Sequence, residues 1–349
     1  LSGRGLSFWT DGRDKRIYYV TAGYQLVALD AASGQRVASF GADGIVDLKK
    51  DFDQELDPVT GEVGVHSAPT VAGNTIIVGA AMREGFTPRT HDNTKGYVRG
   101  FDARTGKRKW IFHTVPKPGE FGYDSWYKDS ALDNGNAGVW TQITVDEKLN
   151  LAYLNVESPT SDFYGGHRPG PGLYGNSIVA VDLDTGKVKW YYQLIHHEIW
   201  DLDNSSAPLL MDVTIDGKAR QVVGIPSKQT YFYVFDRATG VPIWPIKETK
   251  VPKGNVPGEW YSPTQPIPTK PESYARNHYN EKDLIDFTPE LKAKALELVK
   301  NYQLTNEVYT PPIVSTEKKL GVINSWAQGG TNWPGGSFDP ETGIAYVYA

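Results

Sequence analysis

Short apolar runs, each ended by an aspartate and a polar turn, recur along the chain, and four of them share one pattern: VALDAASGQRVA, VRGFDARTGKRKW, IVAVDLDTGKVKW and FYVFDRATGVPIW. Each reads as a strand, an aspartate (Asp30, Asp102, Asp182, Asp236) and a turn glycine (Gly34, Gly106, Gly186, Gly240). Three copies end on Trp110, Trp190 and Trp244, where the first has Ala38. An aspartate that bonds the backbone ahead of it and a glycine that supplies positive φ predict a tight hairpin. A tryptophan just beyond predicts packing between stacked sheets, with the indole N–H finding a partner. Upstream, Asp11 and Tyr18, Asp146 and Tyr153, and Asp339 and Tyr346 share one spacing, each pair opening an apolar strand. Each repeat therefore holds at least two hairpins. No single copy can bury its own apolar face, so the pattern predicts an all-β propeller or solenoid.

Some stretches break the β pattern. A polar segment, REGFTPRTHDNTKG, separates IIVGAA from YVRGF, and a Gly-, Pro- and Asp-rich loop runs around Lys117 to Asn136. Pro, Lys and Thr dominate Lys247 to Lys270, which predicts an ordered surface excursion rather than a strand. One helix follows: Thr288 can cap it, Pro289 suits its first position, and Leu291, Ala295, Leu298 and Tyr302 fall on one face. The inserted loop and helix span about 247–305, after which NWPGGSFDPETGIAYV opens a fifth repeat. The chain starts close to one strand (GLSFW) and stops inside another (IAYVYA), so the expectation is part of a longer polypeptide.

Composition narrows the function classes. At 349 residues with 12% aromatics, one turn-dense β domain over 1–349 is expected. A net charge of −5 with both signs interspersed lacks the basic footprint of a nucleic-acid binder. The absence of cysteine excludes disulfides and thiolate metal sites. No apolar run approaches the roughly 20 residues of a membrane helix.

The densest chemistry lies in HHEIWDLDNSSAP, where His196, His197, Glu198, Asp201 and Asp203 crowd acid, base and metal-ligand capacity beside Trp200. A buried carboxylate there can serve as general base, and nearby oxygen ligands can hold a hard cation. A salt-bridged charged loop accounts for the same residues equally well.

Asp201 behind Trp200, Lys228 in IPSKQTYFYVFDRATG and the repeated Trp turns resemble the pyrroloquinoline quinone (PQQ) dependent dehydrogenases, especially the membrane-type glucose dehydrogenase branch. The likeness extends through SPTQPIPTKP and DFTPELKAKALELVKNY. It implies an eight-bladed quinoprotein β-propeller with the quinone on its axis, of which this chain holds about half the ring. Carried over position by position, it places Arg4 of RGLSFW, His66 of HSAPTVAGN, Trp140 of GVWTQITVD and Asn332 of GGTNWPGG against the quinone, although Pro334 stands where such sequences usually carry Gly. Trp140 would form the floor under the quinone plane. Glu84 falls on the metal-binding glutamate, with Asp92 as the spare candidate because an insertion follows Glu84. Ser158 stands where the family ligates the metal through asparagine; a hydroxyl is the poorer calcium ligand, so either Glu157 substitutes or the site is altered. Asp201 falls on the catalytic aspartate and Lys228 on the residue that bonds the reactive quinone carbonyl. Asp203 echoes the extra carboxylate of lanthanide-using relatives, yet the glucose-dehydrogenase-like branch shares the WDxD pattern, which keeps Ca²⁺ first.

The resemblance implies oxidation of an alcohol or sugar hydroxyl by hydride transfer to PQQ, with Asp201 as base. Electrons would pass to a membrane quinone or cytochrome c. It also implies a location in the periplasm or on the outer face of the inner membrane, with any membrane association supplied by segments outside this chain. The rival is a cofactor-free Trp-repeat propeller serving as an assembly scaffold. It accounts for the repeats but not for Arg4, Trp140, Asp201, Lys228 and Asn332 together.

Overall fold

The computed structural model describes residues 5–57, 59, 62–82, 91–324 and 329–349. Strands Ser7–Thr10, Lys15–Val20, Gln25–Asp30 and Ile45–Asp47 pair in sequence order as one antiparallel sheet. A second sheet joins Thr70–Ala72, Thr75–Val78, Val98–Asp102 and Arg108–Phe112, and a third Thr144–Asp146, Leu151–Asn155, Ser177–Asp182 and Val188–Gln193. The fourth holds three strands, Leu209–Ile215, Lys218–Pro226 and Phe232–Asp236. The hairpin Gly336–Asp339 with Ile344–Val347 follows the same pattern. These are successive blades of a β-propeller.

The repeat is the joint between blades. In each turn the aspartate Oδ1 accepts the N–H groups two and three residues ahead and the hydroxyl of the latter, as Asp182 does from Asp184, Thr185 and the Thr185 side chain. The turn glycine, at φ +67 in Gly186, donates back to the aspartate carbonyl. A Cβ on Gly186 would lie 2.6 Å from the Trp110 ring, and one on Gly240 2.5 Å from Trp190. Each tryptophan thus lies flush on the next blade's turn, and its indole donates to the carbonyl just past that aspartate: Trp110 to Leu183 at 2.9 Å, Trp190 to Arg237 at 3.2 Å. The upstream tyrosines make the same kind of bond, Tyr18 to Ala103 and Tyr153 to Arg237. In the first blade, which has Ala38, Val46 and Phe40 fill that place, at 2.7 and 3.2 Å from a Cβ on Gly106. Trp244 packs beside the Met211, Val222 and Val234 cluster instead, and Gly343 has no neighbour within 4 Å of such a Cβ.

The 247–270 excursion is ordered, but it contains a β-ribbon that its composition hides: Ile246–Lys250 pairs with Thr264–Pro268. Pro266 and Pro268 are two residues apart, so both ring nitrogens lie on the same edge, and a two-stranded ribbon leaves one edge without ladder bonds. The helix forms at Pro289–Val299 with Thr288 accepting from the Leu291 N–H. None of its residues is buried, and the supposed inner face leaves Leu298 66% exposed. Among the described residues no helix is long and apolar enough to cross a membrane.

Candidate active site

An open cavity of about 320 Å³ is lined by His66, Ala81, Met82, Asn136, Trp140, Glu157, Asp162, Asp201, Asp203, Lys228 and Asn332, most of them from loops between strands. Six positions singled out from sequence therefore meet: His66, Trp140, Asp201, Asp203, Lys228 and Asn332. Arg4 and Glu84 lie outside the described residues. Ser158 does not line the cavity. It is fully buried, its N–H donates to Asp203 Oδ1 at 3.1 Å, and its Oγ accepts from Asn176 at 3.3 Å. Its neighbour Glu157 lines the wall instead, with Oε1 3.2 Å from the Gly138 N–H.

Lys228 lies two residues past the long strand Lys218–Pro226, in a turn over which Gly329 and Gly330 close; a Cβ on Gly329 would lie 2.5 Å from the lysine Cβ. Its side chain is 4% exposed, and its ammonium donates to the Asp201 carbonyl (2.9 Å), Asp201 Oδ1 (3.2 Å) and Asp203 Oδ2 (3.1 Å). All three ammonium protons are thereby engaged by two of the four carboxylates that line the cavity, Asp201 and Asp203 as against Glu157 and Asp162. Burial alone would lower the lysine, but Asp203 and Asp201 hold it above its ordinary value. Burial and then Asp203 push Asp201 up to about 8 against the pull of Lys228. Burial would raise Asp203 as well, yet Lys228 and the Ser158 N–H bring it below the usual carboxylate range. The two acids are driven apart, one a strong base when ionised and the other a fixed anion.

Of the five ionisable residues in HHEIWDLDNSSAP, only Asp201 and Asp203 reach the cavity. His196 bonds Gln193 and Glu248, and His197 is buried between the Gly170 carbonyl (3.0 Å) and Glu259 (2.7 Å). Glu198 turns its carboxylate onto the loop's own backbone. The following Asn204, Ser205 and Ser206 are completely buried and donate to Val156, Thr331 and Pro226, tying the loop to three neighbouring segments.

His66 and Trp140 meet edge to face, centroids 6.1 Å apart, so the cavity has an aromatic wall as well as a charged one. A planar, polyanionic quinone fits that combination of ring surface, buried cation and amide. Asn136 and Asp162 complete the lining and were not apparent in sequence. The run DNGNAG gave a signal for Asn136, since asparagine readily takes left-handed backbone, and its φ is +55. Asp162, the acid of SPTSDF, had none. Among the described residues no three His, Asp or Glu side chains converge as a metal cluster.

A family model for the β-propeller domain of PQQ-type glucose/ethanol/alcohol dehydrogenases matches residues 1–349. The chain is 32% identical over 342 residues to a quinate/shikimate dehydrogenase (quinone) of Acinetobacter baylyi, covering 95% of this chain and 40% of that protein. It is 31% identical over 337 residues to a quinoprotein glucose dehydrogenase of Gluconobacter oxydans, again 95% and 40%. Among solved structures, the quinohemoprotein alcohol dehydrogenase ADHIIG of Pseudomonas putida superposes with a TM-score of 0.64 at 25% identity, covering 99% of this chain and 43% of that one. The chain thus spans about two fifths of the length of these relatives. With the family's domain matched from end to end and the propeller shared with its solved members, the chain belongs to the PQQ-dependent dehydrogenase family.

Proposed function

We propose that this chain supplies the quinone site of a dehydrogenase that oxidises an alcohol or a sugar or polyol hydroxyl. The observation that carries the reading is the meeting of Asp201, Asp203 and Lys228 with His66, Trp140 and Asn332 in one cavity. PQQ, when bound, supplies the two-electron acceptor for the hydride leaving the substrate carbon. Asp201 takes the hydroxyl proton as that hydride departs, and its raised carboxyl makes it a competent base once ionised. Lys228 stays charged and places an ammonium beside the developing negative charge; to donate there it exchanges one of its bonds to Asp201 or Asp203. Trp140 and His66 give the ring surface, and Asn332 and Arg4 the polar contacts.

Calcium is the proposed metal; Asp201 and Asp203 would hold it together with Glu84, while Ser158 lies behind the cavity wall against Asn176, and the ion would act as a Lewis acid toward a carbonyl. A quinone or cytochrome c acceptor and a periplasmic setting follow from the same family reading. Reconstitution of the full-length protein with PQQ and Ca²⁺, followed by quinone absorbance and dye reduction on alcohols, polyols and sugars, tests this. Uptake of PQQ with substrate-dependent dye reduction is expected, and Asp201→Asn should abolish turnover while keeping the quinone spectrum. Failure of wild type to take up PQQ overturns the reading in favour of a binding scaffold.

A further inference from the structure

We propose that Glu198 is a positioning residue that sets the placement of the base Asp201, an inference that rests on the role given to Asp201 above. Glu198 is 1% exposed, and its Oε1 accepts two backbone bonds, from the N–H of Trp200 at 2.6 Å and of Leu202 at 2.9 Å. Those two amides straddle Asp201, whose φ is +58. Left-handed backbone is uncommon for a residue with a side chain, and although aspartate enters it more readily than most, neighbouring bonds decide whether it stays there. Here one carboxylate oxygen grips the chain on both sides of that residue.

The neighbours of Asp201 are pinned in turn. Arg168 donates to the Glu198 carbonyl, the Trp200 indole donates to Thr310 at 2.8 Å, and Asn176 donates to the Leu202 carbonyl at 3.2 Å. Within Glu198–Leu202, Asp201 is the residue whose carboxylate meets Lys228. Release of the Glu198 clamp lets φ at position 201 relax to negative values. That swings the Asp201 carbonyl and carboxylate off the lysine, although no atom of the cavity wall has been removed.

The test uses full-length protein loaded with PQQ and Ca²⁺ and compares Glu198→Gln, which keeps an oxygen acceptor, with Glu198→Leu, which does not. A displacement of about 1 Å in a reacting group can cost on the order of 100-fold. Glu198→Leu is therefore expected to lose about 100-fold in kcat, with KM and quinone absorbance little changed and a larger deuterium isotope effect from substrate labelled at the oxidised carbon. Glu198→Gln should recover most of that loss. In parallel, hydrogen exchange at the Trp200 and Leu202 amides should quicken in the leucine variant and stay slow in the glutamine variant. Unchanged exchange in Glu198→Leu overturns the proposal whether or not the protein is an active dehydrogenase. So does retained kcat, or a kcat that falls only in step with lost quinone uptake. Wild type without PQQ-dependent turnover overturns the reading of Asp201 alone, because the exchange measurement still reports on the clamp. If Glu198→Leu does not fold, Glu198→Met carries the same comparison.

Discussion

Lys228 shows what one residue does to two others. Its ammonium is the cation shared by Asp201 and Asp203, and all three side chains are mostly withdrawn from water. Removing one member of a buried ion pair leaves uncompensated charge and typically costs about 3–5 kcal/mol. Lys228→Met should therefore lower stability by about 3 kcal/mol at neutral pH, seen as a lower urea midpoint. Adding Asp203→Asn should restore part of it, because the loss belongs to the unpaired carboxylate rather than to missing packing. Additive effects of the two substitutions would show that the groups are uncoupled. Ser158 carries the opposite lesson. The family resemblance puts it at a metal-ligand position; in the structure its N–H donates to Asp203 and its hydroxyl accepts from Asn176, so the position supports a carboxylate of the cavity.

At the scale of elements, the turns were legible and the loops were not. The bonds by which Asp182 Oδ1 shapes its turn come from the residues two and three ahead of it, so turn chemistry is written in adjacent letters. Asn136 and Asp162 join Asp201 and Lys228 only because loops of different blades converge, and no local spacing encodes that. The β-ribbon of the excursion was hidden for a related reason: its Pro-rich strand is permitted by the free edge of a two-stranded sheet, which is a tertiary circumstance. The loop that carries Asp162 is closed by bonds to one carbonyl, that of Thr160, from His167 at 2.8 Å and Arg168 at 3.0 Å. Burial lowers His167 to about 4, the Thr160 bond opposing and the nearby Arg168 and His91 adding to the shift. An unfolded histidine titrates near 6.5, so between that value and about 4 the unfolded chain binds the extra proton. Stability contributed by a neutral His167 is thus complete above about pH 6.5 and is lost as the pH falls toward 4. Between pH 7.5 and 5 the urea midpoint of the wild type should fall relative to that of His167→Gln, which keeps a donor for Thr160 but does not titrate; protonation of Asp201, which acts in the opposite direction, is common to both proteins. An equal drop in both proteins would place the acid sensitivity elsewhere.

Across the whole molecule, blade cohesion and site geometry are one problem, because His66 and Trp140 come from segments outside the sheet that leads into Lys228. The cavity keeps its shape only if the blades keep their angular positions. The joints that fix those positions are the tryptophan docks, where Trp110 covers Gly186 and bonds Leu183, and Trp190 covers Gly240 and bonds Arg237. Truncating a buried tryptophan costs about 3–5 kcal/mol, and Trp190→Ala should show a loss of that order as an earlier urea transition. Gly240→Ala should also destabilise, for two separable reasons: its φ of +72 and the 2.5 Å approach of the Trp190 ring. The double variant isolates the first. With the indole gone the new methyl has room, so Gly240→Ala in the Trp190→Ala background should cost only the backbone strain, about 1 kcal/mol, and the two effects should be markedly less than additive. Full additivity would mean that the ring and the turn do not press on each other, and the dock would then be only a hydrogen bond. Because the joint lies away from the cavity-lining residues, loosening it should weaken quinone retention without changing the chemistry of any residue that touches the quinone, and titration of the Trp190→Ala variant with PQQ would show it as reduced affinity at an unaltered absorbance maximum.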